Sequence, residues 1–167
     1  ILVGDKHIEL LMNLIYSKKS NSFINLPNQV VAKKCYNMLE LKRDTEEITS
    51  YEVEFSQCVM LPNNHSVVRI SDTSDNSNNI CRLNSEEVVL PLIVRTRKVG
   101  DRMMVKGMDG SRKVKDIFID KKIKLEDRDA WPVVTDSKNR IVWIPGIKKS
   151  KFDKKKTESY DIILEYR

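Results

Sequence analysis

Nucleophile motifs are missing from this sequence. Its 167 residues include two histidines, His7 and His65, and three cysteines, Cys35, Cys58 and Cys81. Neither histidine sits beside a serine or cysteine in a nucleophile arrangement, and no Gly-x-Ser-x-Gly run occurs. Both facts argue against a Ser-His-Asp or Cys-His site, and each histidine is expected to be a surface or cap residue. The cysteines are odd in number, widely spaced and form no Cys-x-x-Cys pair. They are expected as buried small hydrophobes in a reducing compartment, not as a disulfide frame or a zinc site. A nucleotide-binding P-loop is also absent: GMDGSRK, residues 107–113, places its glycines and lysine at the wrong spacing. No apolar run approaches the roughly 20 residues needed to span a bilayer. The opening, ILVGDKHIELL, contains acids and does not read as a signal peptide. The first residue is Ile1, and the chain is expected to be a portion of something longer. No internal repeat is found.

What is present is a core and an uneven charge. The sequence is 40% hydrophobic and 32% charged, which suits a folded domain and argues against long disorder. Residues 1–90 carry 9 Lys or Arg against 12 Asp or Glu, whereas residues 91–167 carry 21 against 12. Halves of opposite sign suggest that the second half meets a polyanion; a solvated lysine-rich surface is the plain alternative.

Hydrophobic periodicity predicts a mostly β chain with short helices, an α+β fold. Residues 5–18 predict a helix, with Ile8, Leu11, Met12 and Ile15 on one stripe, Leu14 widening it and Asp5 as N-cap. FINLP, NQ and VVAKKCYNMLELKR read as strand, turn, strand. Residues 51–60 alternate as a half-buried strand, with Tyr51, Val53 and Phe55 inward and Glu52 and Glu54 outward. Residues 66–70 give another strand, and 71–79 an exposed polar loop. Leu92 and Val94 begin a strand whose extension places Arg95 and Arg97 on one face. Two β-rich runs in 131–146 flank the turn DSKN as a hairpin, and 160–166 closes the chain as a strand. Trp131, Trp143 and Phe118 read as core.

The segment GDRMMVKGMDGSRKVKDIFIDKK, residues 100–122, joins three glycines to seven Lys or Arg. SRKVKDIFID is predicted to be helical, with Val114, Ile117 and Phe118 apolar and Ser111 as N-cap. Arg112, Lys113 and Lys115 would then crowd its first turn, where cations are disfavoured by about 0.3–1 kcal/mol each. A docked phosphate would reverse that sign. Arg95, Arg97 and Arg102 before the helix would join them in one basic surface. Lys148, Lys149 and Lys151 form a second cluster, and Lys154, Lys155 and Lys156 lie beyond it, equally readable as a solvated loop. Asp101, Asp109, Asp116 and Asp120 are expected to be ion-pair partners that orient these cations rather than an acid–base pair. Aromatics do not interleave the basic clusters, so the expected target is a structured backbone read by shape.

Residues 91–150 closely resemble the C-terminal domain of bacterial tRNA(Ile)-lysidine synthase. The resemblance rests on R-x-R-x-x-G-D-R (Arg95 to Arg102), the G-M-x-G turn (Gly107 to Gly110), Lys113 to Asp120, Arg128 to Pro132, and IVWIPG at 141–146. INLPNQVVAKKCY, residues 24–36, is similar to the preceding segment in that family. Val105 and Lys124 depart from it where proline is expected. The resemblance implies a layered, β-sandwich-like fold, as in domains of the phenylalanyl-tRNA synthetase β subunit, preceded by an N-terminal helix. It implies residues 1–20 as the tail of a preceding domain, 21–88 as a β-rich lead-in, and 89–167 as the basic tRNA-binding domain. The full ligase uses ATP, with magnesium, to join lysine to the wobble cytidine of an isoleucine tRNA, through an N-terminal domain with an SGGxDS loop. That loop is absent here, so this portion is expected to be non-catalytic, to hold no cofactor, and to contact the acceptor stem of isoleucine tRNA. The implied partners are that tRNA and the protein's own catalytic domain, in the cytoplasm and away from membranes, with a homodimer left open. An interaction domain that docks on the catalytic domain without touching RNA is the alternative.

Overall fold

Strand faces follow the alternation of apolar residues, and the result is a layered β structure. The computed structural model describes residues 4–19, 21–43 and 50–167. Residues 1–3, 20 and 44–49, which the expected segments 1–20 and 21–88 include, lie outside the described residues. The chain opens with α1 (Asp5–Tyr16), β1 (Asn21–Leu26), β2 (Val30–Cys35) and β3 (Met38–Arg43). β4 (Glu52–Phe55), β5 (Cys58–Met60), β6 (Ser66–Ile70) and β7 (Ile80–Leu83) follow. Next come β8 (Leu92–Thr96), β9 (Arg102–Met104), β10 (Ser111–Lys113), α2 (Val114–Asp120) and α3 (Leu125–Arg128). β11 (Pro132–Thr135), β12 (Ile141–Ile144), β13 (Lys148–Lys149) and β14 (Ile162–Tyr166) complete it. No described helix is long and apolar enough to cross a membrane.

Two antiparallel sheets form a sandwich. One runs β13-β12-β11-β8-β4 and the other β5-β6-β14-β7. Leu92, Val94, Val134 and Trp143 on the first meet Val67, Cys81, Leu83 and Leu164 on the second. Successive strand residues face opposite ways, so Val133, next to Val134, serves a different core. That second core lies on the outer face of the five-stranded sheet. There Val133, Ile141 and Ile144 are covered by Met103 and Val105 and by Val114, Ile117 and Phe118 of α2. Trp143 and Phe118 are fully buried, as expected, whereas Trp131 is half-buried.

Several expectations are corrected. The expected strand 51–60 is two strands: β4 pairs with β8 in one sheet, and β5 pairs with β6 in the other. Glu52 and Glu54 face solvent and Phe55 is buried, but Val53 at the sheet edge is 44% exposed. The run VVAKKCYNMLELKR likewise folds back on itself, because Tyr36 takes a positive φ of 52° between β2 and β3. In α1, Asp5 is a helical residue and Gly4 is the N-cap. Leu14 alone of that helix is buried, while Ile8, Met12 and Ile15 are exposed. The expected boundary at 88–89 falls inside one shared core: β4 to β7 supply four of the sandwich's nine strands.

The cysteines are buried as expected, but Cys35 and Cys58 are joined as a disulfide, and Cys81 is free. Proximity that spacing could not show explains the pairing. The three-stranded sheet β1-β2-β3 meets the outer face of the four-stranded sheet through Cys35, Cys58 and Val68, with Tyr36, Met60 and Ile70 packed around them.

Candidate nucleic-acid interface

The basic segment folds differently from its sequence pattern. Ser111, Arg112 and Lys113 are the strand β10, paired with β9 in a two-stranded ribbon. The helix starts at Val114, with Lys113 as its N-cap. Ser111 is therefore not the cap; its hydroxyl accepts a hydrogen bond from Arg102 Nε at 2.8 Å. With seven residues, α2 is one of the short helices, and the expected phosphate seat at a cation-crowded first turn is not formed.

The ribbon produces a basic face instead. Met103 and Val105 point into the second core, so Arg102 and Met104 point outward. Across the ribbon, Lys113 stands opposite Arg102 and Ser111 opposite Met104. On the other side of β9, Val105 bridges to Ser150, and the Lys151 amide donates to the Met104 carbonyl at 2.8 Å. Ser150 is buried with Val105, so its neighbour Lys151 lies outward beside Met104. Arg102, Lys113 and Lys151, all exposed, thus share one surface, and exposed Lys115 follows at the start of α2. Three chain segments contribute to it.

The other expected cations are placed elsewhere. Arg95 has a wholly buried side chain and belongs to no surface. Its Nη1 and Nη2 donate to the two Asp101 oxygens at 2.8 and 2.9 Å, Nη2 also reaches Asn139 Oδ1 at 3.0 Å, and Nη1 reaches the Thr96 carbonyl. Burial pushes the Asp101 carboxyl up, but hydrogen bonds from Arg95 and the Lys98 amide outweigh it, and the group is held below the usual range. Arg97 is bound to Asp129 through Nε and Nη2 at 3.1 and 2.7 Å. Arg112 pairs with Asp120 across the start and end of α2. Asp101 and Asp120 are thus the ion-pair partners that were expected.

Lys149 is turned inward: its side chain is 12% exposed, donates to the Asn76 carbonyl at 3.1 Å and lies 3.9 Å from Asp153. Burial lowers its pKa. Lys148 is half-buried beside it, and Lys154 pairs with Glu87 at 2.6 Å. The polar loop 71–79 is exposed as expected, yet its backbone is clamped from beneath. Buried Arg82 donates to the Thr73 and Asp75 carbonyls at 3.1 and 2.8 Å, as Lys149 does to that of Asn76.

Gly100, Gly107 and Gly110 each take a positive φ, and a Cβ built at any of them would meet nothing within 4 Å, so these turns face open space. Among the described residues no group of three His, Cys, Asp or Glu is placed to hold a metal ion.

One feature was not anticipated. His65, Trp131 and Tyr166 converge at one end of the sandwich, with His65 stacked on Tyr166 at 5.0 Å between centroids. No local sequence signal could have revealed it, because the three rings come from separate segments.

Residues 92–164 match the family described as the TilS substrate C-terminal domain. The chain is 40% identical to the bifunctional protein TilS/HprT of Listeria monocytogenes, over 92% of this chain and 24% of that protein. It is 37% identical to the tRNA(Ile)-lysidine synthase of Bacillus licheniformis, over 96% of this chain and 36% of that protein. It therefore spans about a quarter to a third of the length of the curated relatives it matches. A crystal structure of the TilS C-terminal domain aligns with a TM-score of 0.65 at 36% identity, covering 71% of this chain and 97% of the other. Shared sequence and shared fold over nearly all of that solved domain place this chain in the family of the C-terminal domain of tRNA(Ile)-lysidine synthase.

Proposed function

We propose that this chain is the tRNA-gripping region of a cytoplasmic tRNA(Ile)-lysidine synthase, and that it holds the RNA backbone without performing chemistry. The observation that carries this reading is the outward face of Arg102, Lys113 and Lys151, with Lys115 beside it. A rigid sheet presents these cations at strand spacing, and the apolar layer beneath fixes their direction. Such a surface attracts phosphates without reading bases, which suits a structured stem such as the acceptor stem of isoleucine tRNA. ATP activation and lysine transfer belong, in this reading, to a separate catalytic domain, which uses ATP, magnesium and lysine.

Electrophoretic mobility shift with isoleucine tRNA over a salt series tests this. The triple variant Arg102→Ala, Lys113→Ala, Lys151→Ala is expected to weaken binding at low salt. It should also flatten the log–log salt dependence by roughly 2 to 3, from three lost phosphate contacts. Arg97→Ala, whose guanidinium is already held by Asp129, should leave the slope unchanged. An unaltered slope in the triple variant overturns the assignment of this face.

A second reading, a docking platform for the catalytic domain without RNA contact, is favoured by the exposed apolar residues Ile8, Met12, Ile15, Phe23 and Leu41. Apolar docking resists salt, whereas phosphate contact does not; binding to a separately produced catalytic domain that persists in high salt, with no affinity for tRNA, would select it.

A further inference from the structure

The aromatic convergence at the end of the sandwich forms a crevice of about 150 Å³ lined by His65, Trp131, Tyr166, Leu61, Pro62 and Asp127. Its rings are fixed from behind. The Trp131 indole N–H donates to the Pro145 carbonyl at 2.9 Å, so its one polar atom is satisfied and its ring cannot swing freely. Tyr166 rests against Gly146, where a Cβ would come within 3.2 Å of the phenol ring; the positive φ of 72° and the missing side chain together make that room. Its centroid lies 6.3 Å from that of Trp131, tilted by 44°. His65 Nδ1 lies 3.1 Å from the Arg167 carbonyl oxygen, and the imidazole stacks on Tyr166. Trp131 and Tyr166 are half-buried and His65 is exposed, so the rings leave open surface instead of closing into a core.

Among the described residues no Lys or Arg side chain lines the crevice, and its polar rim contains a carboxylate, Asp127. That combination disfavours a phosphate and favours a flat ring with N–H groups at its edge. Burial pushes the Tyr166 phenol up to about 12, so the ring stays neutral at ordinary pH. From Gly146, which backs the crevice, the chain runs through β13 to Lys151 on the basic face. Those five steps, which begin in the turn at Gly146, cover at most about 17 Å, a distance that a short single strand leaving a bound duplex can cross.

We propose that this crevice holds one unpaired nucleobase, stacked on the Trp131–Tyr166 walls with an amino edge toward Asp127, while the adjoining RNA backbone lies on the basic face. This rests on the RNA-binding reading above and adds a base-holding site to a surface otherwise blind to sequence.

Trp131 supplies its own reporter. The chain has two tryptophans, and Trp143 is fully buried, so quenching by an added base reports Trp131. The intact chain would be titrated with a blunt RNA duplex and with the same duplex bearing a single-stranded adenosine extension. The extended duplex is expected to quench the fluorescence saturably and to bind about tenfold more tightly than the blunt one. His65→Ala and Trp131→Leu should remove that advantage without changing blunt-duplex affinity, and Trp131→Phe should retain it. Equal affinity for both duplexes in the unaltered chain, with no quenching by the extension, overturns the base site and leaves backbone binding intact; this comparison needs no variant to fold. Failure to bind either duplex overturns the RNA reading and this inference with it. Quenching by decaproline but not by the extension would show a peptide groove and equally overturn it.

Discussion

Burying a guanidinium is costly unless its charge and its hydrogen bonds are met, and Arg95 meets most of that cost through its two terminal nitrogens, its Nε alone being left without a partner. Asp101 takes both terminal nitrogens, and the turn that brings it back carries Gly100 at a φ of 85°. Arg95→Ala would leave the largely buried Asp101 carboxylate uncompensated, a loss of about 3–5 kcal/mol. Calorimetry should show a fall in Tm of roughly 10 °C. The pH dependence has a definite sign. Asp101 is depressed in the folded chain, so its stabilisation is fully present above the unfolded carboxylate pKa of about 3.9. It is lost as pH falls through the lower folded value. Asp136, held by Arg140 and the amides of Val89 and Arg140, is depressed against the pull of burial and acts in the same direction. Tm measured from pH 7 downward should therefore hold to about pH 4 and then drop, and the Tm deficit of Arg95→Ala should shrink as pH falls, because protonation relieves the uncompensated Asp101 carboxylate. The sequence identifies Asp101 as an ion-pair partner but assigns Arg95 to a basic surface. Strand alternation does say that Arg95 and Val133, which are cross-strand neighbours, face one way. It does not say that the β9–β10 ribbon and α2 cover that face.

At the scale of elements, the same covering layer explains the misread helix. Residues 111–120 carry a good helical stripe, and Val114, Ile117 and Phe118 are buried as that stripe requires. The first three residues are taken by β9, because pairing with a strand already anchored by Met103 gives their amides and carbonyls partners that a frayed first turn lacks. Propensity sees the helix and not the competing strand, so the sequence alone assigns Ser111, Arg112 and Lys113 to the wrong element. The three-stranded sheet shows the opposite case, since its strands were readable but its attachment was not. Besides the Cys35–Cys58 bond, it is tied to the sandwich by the Tyr36 hydroxyl, which donates to the Arg69 carbonyl at 3.1 Å, and by Lys33, which donates to the Leu61 carbonyl at 3.4 Å. Closing a loop over a sequence separation of 23 stabilises by about 3 kcal/mol in the chain-entropy picture. Cys35→Ser, or reduction with dithiothreitol, should speed hydrogen exchange of amides in 30–35 at least tenfold. Exchange in β6 and β14 should stay as it was, and mass spectrometry of peptides from each region would separate the two.

For the whole molecule, the buried residues of the main and second cores run from Phe55 to Leu164, with Tyr51 and Tyr166 packed against them, and among the described residues none comes from α1 or β1 to β3. The solved family domain, which aligns with 71% of this chain, has a comparable extent. The matched family segment 92–164 is too short to be a folding unit by itself, because it omits β4 to β7 and with them three of the four strands of one sheet. A cut at residue 50 leaves both cores whole, whereas a cut at 89 removes one face of the sandwich. A chain of residues 50–167 is therefore expected to unfold in one cooperative calorimetric transition within a few degrees of the 167-residue chain. On the proposed tRNA-gripping reading it should also bind tRNA with the salt dependence of the longer chain, since Arg102, Lys113, Lys115 and Lys151 all lie within it. Residues 89–167 alone should show no such transition, because Leu92, Val94 and Leu164 would lose Val67, Cys81 and Leu83 and face water. If the shorter chain folded as well as the longer one, the sandwich would not be the unit that holds the basic face in place, and the role given to its packing would fail.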